Sequence, residues 1–131
     1  MPIPDHLKRL GYDLHTNREL GLMLRGSKPL AVFADAYGCF PDAVRRYLAM
    51  FDRQVEKGVF VKREFVDLSS PPHPGHIILY ALPQEEWRID AMLELRQHQG
   101  PWTAELERAE GELLGYADWQ NEIWIGRQFP E

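Results

Sequence analysis

A short turn at Gly38 is the feature that most constrains what this chain can fold into. Ala34 precedes the glycine by four residues, and Val44 follows it by six. A small side chain lets two helices approach closely, and glycine adopts the left-handed conformation that closes a tight turn. A β-branched residue in the second helix can then bury against the first. The spacing therefore predicts two helices that pack across a turn at Gly38.

The helix after this turn has the clearest pattern in the sequence. Pro41 and Asp42 suit a first helical turn, and Gly58 suits a helix end, so we expect a helix over 41–57. One face of this helix is apolar, with spacings of four, three and four residues between Val44, Leu48, Phe51 and Val55. A stripe of this kind predicts a helix that packs on a core.

The opposite face of this helix is basic. At 100° per residue it presents Asp42, Arg46, Ala49 and Arg53, with Arg45 beside them. Arginine forks can contact guanine edges or phosphates, and a small alanine permits close approach to a major groove. A solvated helix face with scattered arginines is the alternative interpretation.

Two strands are expected after this helix, at 59–66 and 76–82. The connector 67–75 holds three prolines, two serines and a glycine, so we expect a loop there. The pattern predicts a hairpin with a long tip. Lys62 and Arg63 on its first strand, and His73 and His76 near its tip, are candidates to contact backbone phosphates.

Residues 16–82 taken together resemble a winged helix-turn-helix domain, through pattern and without a signature motif. The resemblance implies an α+β fold that is mostly helical, with the hairpin as the wing and further helices after it. It also implies sequence-specific binding of double-stranded DNA, as in a transcriptional regulator. The DNA-binding residues would then be Asp42, Arg45, Arg46, Ala49, Arg53, Lys57, Lys62, Arg63 and His73.

The segment 28–38 is ambiguous, and it decides this hypothesis. Leu30, Phe33, Ala34 and Tyr37 fall on one helical face, but the short apolar run that begins at Leu30 also fits a buried strand. With a strand here the chain would follow a β-α-β-β-α-β order, which is typical of a ferredoxin-like sandwich. Gly38 and the alanines favour a helix. A strand would remove the main support for DNA binding.

Helices are also expected on both sides of this region. Thr16 and Glu19 match a capping box and predict a helix over 17–25. Later patterns predict helices over 85–97, 103–114 and 117–125, with a strand at 122–125 as the alternative for the last one. We therefore divide the chain into a module at 1–82 and an acidic helical extension at 83–131. This extension either packs on the module or forms a dimer interface.

The net charge of −5 is unevenly distributed along the chain. Residues 1–63 carry eleven Lys/Arg against seven Asp/Glu, whereas residues 64–131 carry four against thirteen. Such asymmetry is a recognised indication of nucleic-acid contact through the basic part. An ordinary fluctuation in composition explains it equally well.

Tryptophans concentrate in the acidic C-terminal third, which holds three of the four. They either cap a small core or form an interface, because aromatic anchors inside a polar rim are typical of protein–protein contacts. The candidate interface residues are Trp102, Tyr116, Trp119 and Trp124. The second functional hypothesis is therefore a non-catalytic protein-interaction module, such as an inhibitor, an immunity-type protein or an adaptor, with homodimerisation as a further possibility.

The sequence contains no recognisable catalytic or cofactor motif. It lacks a glycine-rich phosphate loop, a nucleophile elbow and a zinc-protease helix, and His73 and His76 lack further ligands at metal-binding spacing. We therefore expect no enzyme activity, no cofactor and no metal. One cysteine, no signal-peptide pattern and no apolar run near the ~20 residues of a membrane span favour a cytoplasmic protein without membrane contact.

Overall fold

A three-stranded antiparallel sheet lies between two layers of helices in the computed structural model, which describes residues 10–67 and 74–130. About 48% of the chain is helical, which confirms an α+β fold. The elements in chain order are α1 (Glu19–Leu24), β1 (Leu30–Ala36), α2 (Asp42–Glu56), β2 (Val61–Asp67), β3 (Gly75–Ala81), a short 3₁₀ turn (Pro83–Glu85), α3 (Trp87–Arg96), α4 (Ala104–Leu113) and α5 (Asp118–Gln128).

Strand β3 is the centre of the sheet. It pairs with β1 on one side and with β2 on the other, and Ala81 lies opposite both Leu30 and Val61. The run Ile78–Ala81 is buried. A continuous apolar run is typical of a strand that is covered on both faces, so the strand predicted at 76–82 is confirmed with small shifts at its ends.

Alternation along β3 divides the core into two halves. Ile78 and Tyr80 face α1 and α2, whereas Leu79 and Ala81 face α3 and α4. Phe51 of α2 is buried in the first half, and Ile89 and Met92 of α3 are buried in the second. The C-terminal helices therefore form one of the two layers that cover the sheet.

The prediction of a helix over 28–38 is wrong, because Leu30–Ala36 is strand β1. Leu30 and Ala31 are both buried, one on each face of the sheet, and only an extended chain can place adjacent residues in this way. Gly38 has a φ of 77°, as a tight turn requires, but the turn joins a strand to a helix. Since α2 is the one helix between β1 and β2, no helix-turn-helix forms at this place. The winged arrangement as a whole stays a hypothesis.

Two further expectations change at the ends of the chain. The capping box at Thr16 does not form: α1 begins at Glu19, its N-cap is Arg18, and no side chain caps it. The alternative strand at 122–125 is part of α5. The described residues therefore provide three strands, one fewer than a ferredoxin-like sheet requires. The helices expected at 41–57, 85–97, 103–114 and 117–125 are confirmed as α2 to α5, with ends that differ by one to three residues.

None of the helices in the described ranges is long and apolar enough to cross a bilayer.

Candidate functional site

Helix α4 is the most acidic element of the fold and lies between α3 and α5. It carries four glutamates in ten residues, at Glu105, Glu107, Glu110 and Glu112. Thr103 begins the helix by accepting a hydrogen bond at its hydroxyl from the Leu106 amide, at 3.3 Å. One side of α4 faces a groove shared with α3, and another faces a small cavity shared with α5.

Two cations hold the C-terminal end of α4. The guanidinium of Arg88, on α3, donates to the carbonyls of Glu112 at 2.8 Å and Leu113 at 3.3 Å. The Lys28 ammonium donates to the carbonyl of Leu114 at 2.6 Å. The last carbonyls of a helix lack intrahelical donors and carry partial negative charge, so cations stabilise this end. Helix α4 is thus fixed to both α3 and the segment that leads into β1.

The Lys28 side chain is only 2% exposed and belongs to a polar cluster behind α4. Its Nζ lies 2.8 Å from Nδ1 of His15 and 5.6 Å from the centre of the Tyr116 ring. Burial lowers the pKa of Lys28 to about 7, partly offset by the charge of Glu19. Burial also lowers the pKa of His15 to about 4, and the charges of Lys28 and Arg18 act in the same direction. A neutral imidazole with its proton on Nε2 can accept the hydrogen bond from Lys28.

The groove between α3 and α4 has a volume of about 660 Å³. Its apolar lining consists of Ala91, Leu95, Leu106, Ala109 and Leu113. Glu94 and Glu112 lie among its polar lining, and Trp87 at one end is 56% exposed. The Arg88 guanidinium lies 4.7 Å from the centre of the Trp87 ring. The groove therefore combines an apolar surface with carboxylates and one exposed aromatic ring.

The cavity between α4, α5 and the N-terminal segment is smaller, at about 180 Å³. Three aromatic side chains and two carboxylates line it, namely Tyr12, Tyr116, Trp124, Glu107 and Glu110. The carboxylate of Glu107 accepts the indole N–H of Trp124 at 2.7 Å, and its other oxygen accepts the indole N–H of Trp102. Burial raises the pKa of Glu110, against the opposing charge of Arg96.

The four predicted interface aromatics lie around this part of the molecule. Trp102 and Trp119 are 37% and 55% exposed, whereas Tyr116 and Trp124 are half-buried and line the cavity. Tyr12, which sequence reasoning missed, makes edge-to-face contacts with Tyr116 and Trp119, at centroid distances of 6.1 and 5.7 Å. No local pattern marks Tyr12, because its partners are about a hundred residues away along the chain.

The predicted basic face of α2 is exposed, including Asp42, Arg45, Arg46, Ala49, Arg53 and Lys57. Arg45 forms an ion pair with Asp42. The side chains of Arg46, Arg53 and Lys57 make no ion pair or hydrogen bond with the residues that the structure describes. These three cations are therefore available to an external anion.

The two predicted wing cations do not join this face. Successive residues of a strand point to opposite sides, so Lys62 lies toward α2 and Arg63 toward α3. Lys62 binds Asp52 at 2.9 Å, and Arg63 binds Asp90 at 2.6 Å. Lys62 and Arg63 therefore lie on different faces of the sheet, and each has an ion-pair partner within the protein. Their role as phosphate contacts stays a prediction. His73 lies outside the described residues.

Two surfaces thus remain as candidates: the basic face of α2 and the acidic, aromatic region around α4. Within the described ranges no group of three or more His, Cys, Asp or Glu is placed to hold a metal ion. No protein-family model matches this chain, and neither a curated protein nor a solved structure is significantly similar to it.

Proposed function

We propose that this protein is a binding module whose acidic C-terminal helices engage a positively charged segment of a partner protein. The observation that carries the proposal is the groove between α3 and α4, where Glu94 and Glu112 accompany an apolar lining. An amphipathic helix binds such a groove with its apolar face, and basic residues at its edges meet the carboxylates. Trp87 is an exposed aromatic side chain of the kind that anchors interfaces.

The charge of this region favours a cationic partner. Residues 83–131 contain eleven acidic and four basic residues. Arg88 is already ion-paired with Glu85 at 2.8 Å, and Arg108 with Glu122 at 2.7 Å. The remaining negative charge accelerates encounter with a positive segment and disfavours acidic partners.

Calorimetric titration with an amphipathic peptide of leucine and lysine tests this proposal. We expect binding at low salt that weakens as the ionic strength rises, because exposed charges are screened. Replacing Glu112 with glutamine should weaken binding roughly threefold, which corresponds to one exposed charge interaction. The matched control is Glu56→Gln, because Glu56 is an exposed glutamate at the end of α2. Absence of binding at low salt, or equal losses in the two variants, would contradict the proposal.

Binding of double-stranded DNA through α2 is the second candidate function. The observation that favours it is the exposed set of Arg46, Arg53 and Lys57, none of which pairs with a described residue. Such cations would contact phosphates and give salt-dependent affinity. This candidate ranks second because a strand replaces the first expected helix and both wing cations have internal partners.

A further inference from the structure

The cavity between α4 and α5 combines aromatic walls with carboxylates at a size that suits one small group. Glu107 and Glu110 of α4 and Leu114 directly after it lie on one helical face, and Trp124 of α5 and Tyr12 of the N-terminal segment also line the space. Its volume of about 180 Å³ is close to that of cavities that hold a single small molecule.

The two carboxylates that line the cavity differ in their hydrogen bonding. Both oxygens of Glu107 accept indole N–H groups, from Trp102 and Trp124, so its position is fixed. The Glu110 carboxylate is half-buried and makes no hydrogen bond or ion pair with any described residue. Burial of a carboxylate without a partner disfavours its charged form, in line with the raised pKa of Glu110. The Glu110 oxygens are not fully enclosed, so a cation in the cavity can reach them and would favour the charged form.

The aromatic walls are held in place before any ligand arrives. The His15 ring stacks on Tyr116 at a centroid distance of 3.7 Å, and the His15 amide donates to the Tyr116 hydroxyl at 2.8 Å. Trp124 is fixed by Glu107, and Tyr12 packs edge-to-face between Tyr116 and Trp119. Preorganised walls reduce the entropic cost of binding. Rings of this kind attract cations through the negative charge of their faces.

We propose that this cavity binds an alkylammonium cation, supplied either by a free small amine or by a lysine side chain, methylated or not. An uncharged apolar ligand would leave Glu110 without a partner, and an anion would be repelled by both carboxylates. The neighbouring cationic groups are Arg96, which acts on Glu110, Arg127, which acts on Tyr12, and Lys28, whose Nζ lies 5.6 Å from the centre of the Tyr116 ring. If the cation is a lysine side chain of a partner protein, the inference rests on the proposed function. If the cation is a free amine, it does not.

Titration of the full chain with choline, followed by nitrogen–proton correlation NMR, tests the inference directly. We expect saturable shifts of the Trp124 indole N–H at millimolar or lower choline concentration, as a few cation–π contacts provide. The matched probe is the uncharged isostere of choline, in which carbon replaces the nitrogen. It should bind at least about tenfold more weakly, because it lacks the charge that the carboxylates attract. No shift at any choline concentration, or equal binding of the two probes, would overturn the inference.

Single-residue variants test whether choline binds in this cavity. Glu110→Gln should weaken choline binding about fivefold or more, whereas Glu105→Gln, an exposed glutamate on the same helix and outside the cavity, should leave it unchanged. Tyr12→Leu removes one aromatic wall and is the second variant, with its fold checked from the same spectrum. Equal affinities in wild type, Glu110→Gln and Tyr12→Leu would place choline elsewhere and refute the cavity site.

A titration with a peptide distinguishes the two possible sources of the cation. A neutral peptide with one central trimethyllysine should bind more tightly than choline if a partner side chain is the ligand, and with similar affinity if a free amine is the ligand. Failure of this inference differs from failure of the proposed function. The leucine–lysine peptide binds the groove and responds to Glu112→Gln, whereas choline binds the cavity and responds to Glu110→Gln.

Discussion

Lys28 extends its ammonium group into the interior, where it bonds the end of α4 and the imidazole of His15. Neither residue belongs to a motif, and their contact lies where the N-terminal segment, the residues before β1 and the end of α4 meet. Burial of a lysine is unusual. The sequence alone shows only a lysine two residues before an apolar run, which does not indicate that the side chain is buried. Its partners, which lie up to 86 residues away, cannot be inferred from spacing.

His15 should make the protein less stable in acid. Its pKa is about 4 in the folded protein against an ordinary value of 6.5, so only the unfolded chain binds this proton between those limits. The stabilising contribution is complete above pH 6.5 and is lost as the pH falls through 4. The free energy of unfolding should therefore rise with pH across this window, with a slope of up to ~1.4 kcal/mol per pH unit from this residue.

Urea unfolding at several pH values, followed by tryptophan fluorescence, measures this dependence. In His15→Gln the slope between pH 4 and 6.5 should be smaller than in wild type, since the titrating group is gone. Carboxylates contribute equally to both proteins, so the difference reports His15 together with its coupling to Lys28, whose Nζ lies 2.8 Å from the imidazole. Parallel stability profiles would show that the imidazole titrates normally in the folded protein.

Gly115 should tolerate no side chain. It has a φ of 93°, and a Cβ atom built there would lie 2.4 Å from Cδ of Pro29. We expect Gly115→Ala to lower the free energy of unfolding by about 2–4 kcal/mol, because left-handed strain and overpacking add. Gly126→Ala in α5 is the control: nothing lies within 4 Å, and alanine favours a helix by up to ~1 kcal/mol. Thermal unfolding of both variants checks this, and similar melting temperatures would contradict the close contact with Pro29.

At the scale of elements, α2 could be predicted from sequence, whereas β1 could not. The apolar stripe of α2 runs from Val44 to Val55, which is about three turns, and residues suited to helix ends flank it, so local signals agree with the fold. The run from Leu30 to Ala36 is short enough to fit either period. It forms a strand because all its residues pair with β3 and because helices cover both faces of the sheet. Both conditions arise from tertiary structure and are not visible in the local sequence.

The basic face of α2 predicts a specific result with DNA. If α2 contacts phosphates, Arg46→Ala should weaken binding to duplex DNA about threefold to tenfold and reduce its salt dependence by about one charge. Arg25→Ala removes the same charge from an exposed position just after α1 and serves as the control. Fluorescence anisotropy at increasing salt is the measurement. Equal affinities of the two variants, or no binding at low salt, would remove DNA from the candidate functions.

At the scale of the whole molecule, the sheet separates helices of different character. The basic face of α2 presents three exposed cations, Arg46, Arg53 and Lys57, that pair with no described residue. On the other layer and its extension, helices α3 to α5 together carry eight acidic residues against four arginines. The uneven distribution of charge along the sequence therefore corresponds to a separation of charge between the two sides of the sheet. The sequence alone could not reveal the groove and the cavity, because each forms between elements that are paired only in the folded protein.

The claim that a positively charged segment binds the acidic helices is tested most directly by mapping where such a segment binds. The measurement is a nitrogen–proton correlation NMR titration of the full chain with the leucine–lysine peptide at low salt. We predict that the shifted amides cluster in α3 and α4, together with the indole N–H of Trp87, which lies at the groove. Shifts confined to α2 and the sheet, or no shifts at all, would contradict the account.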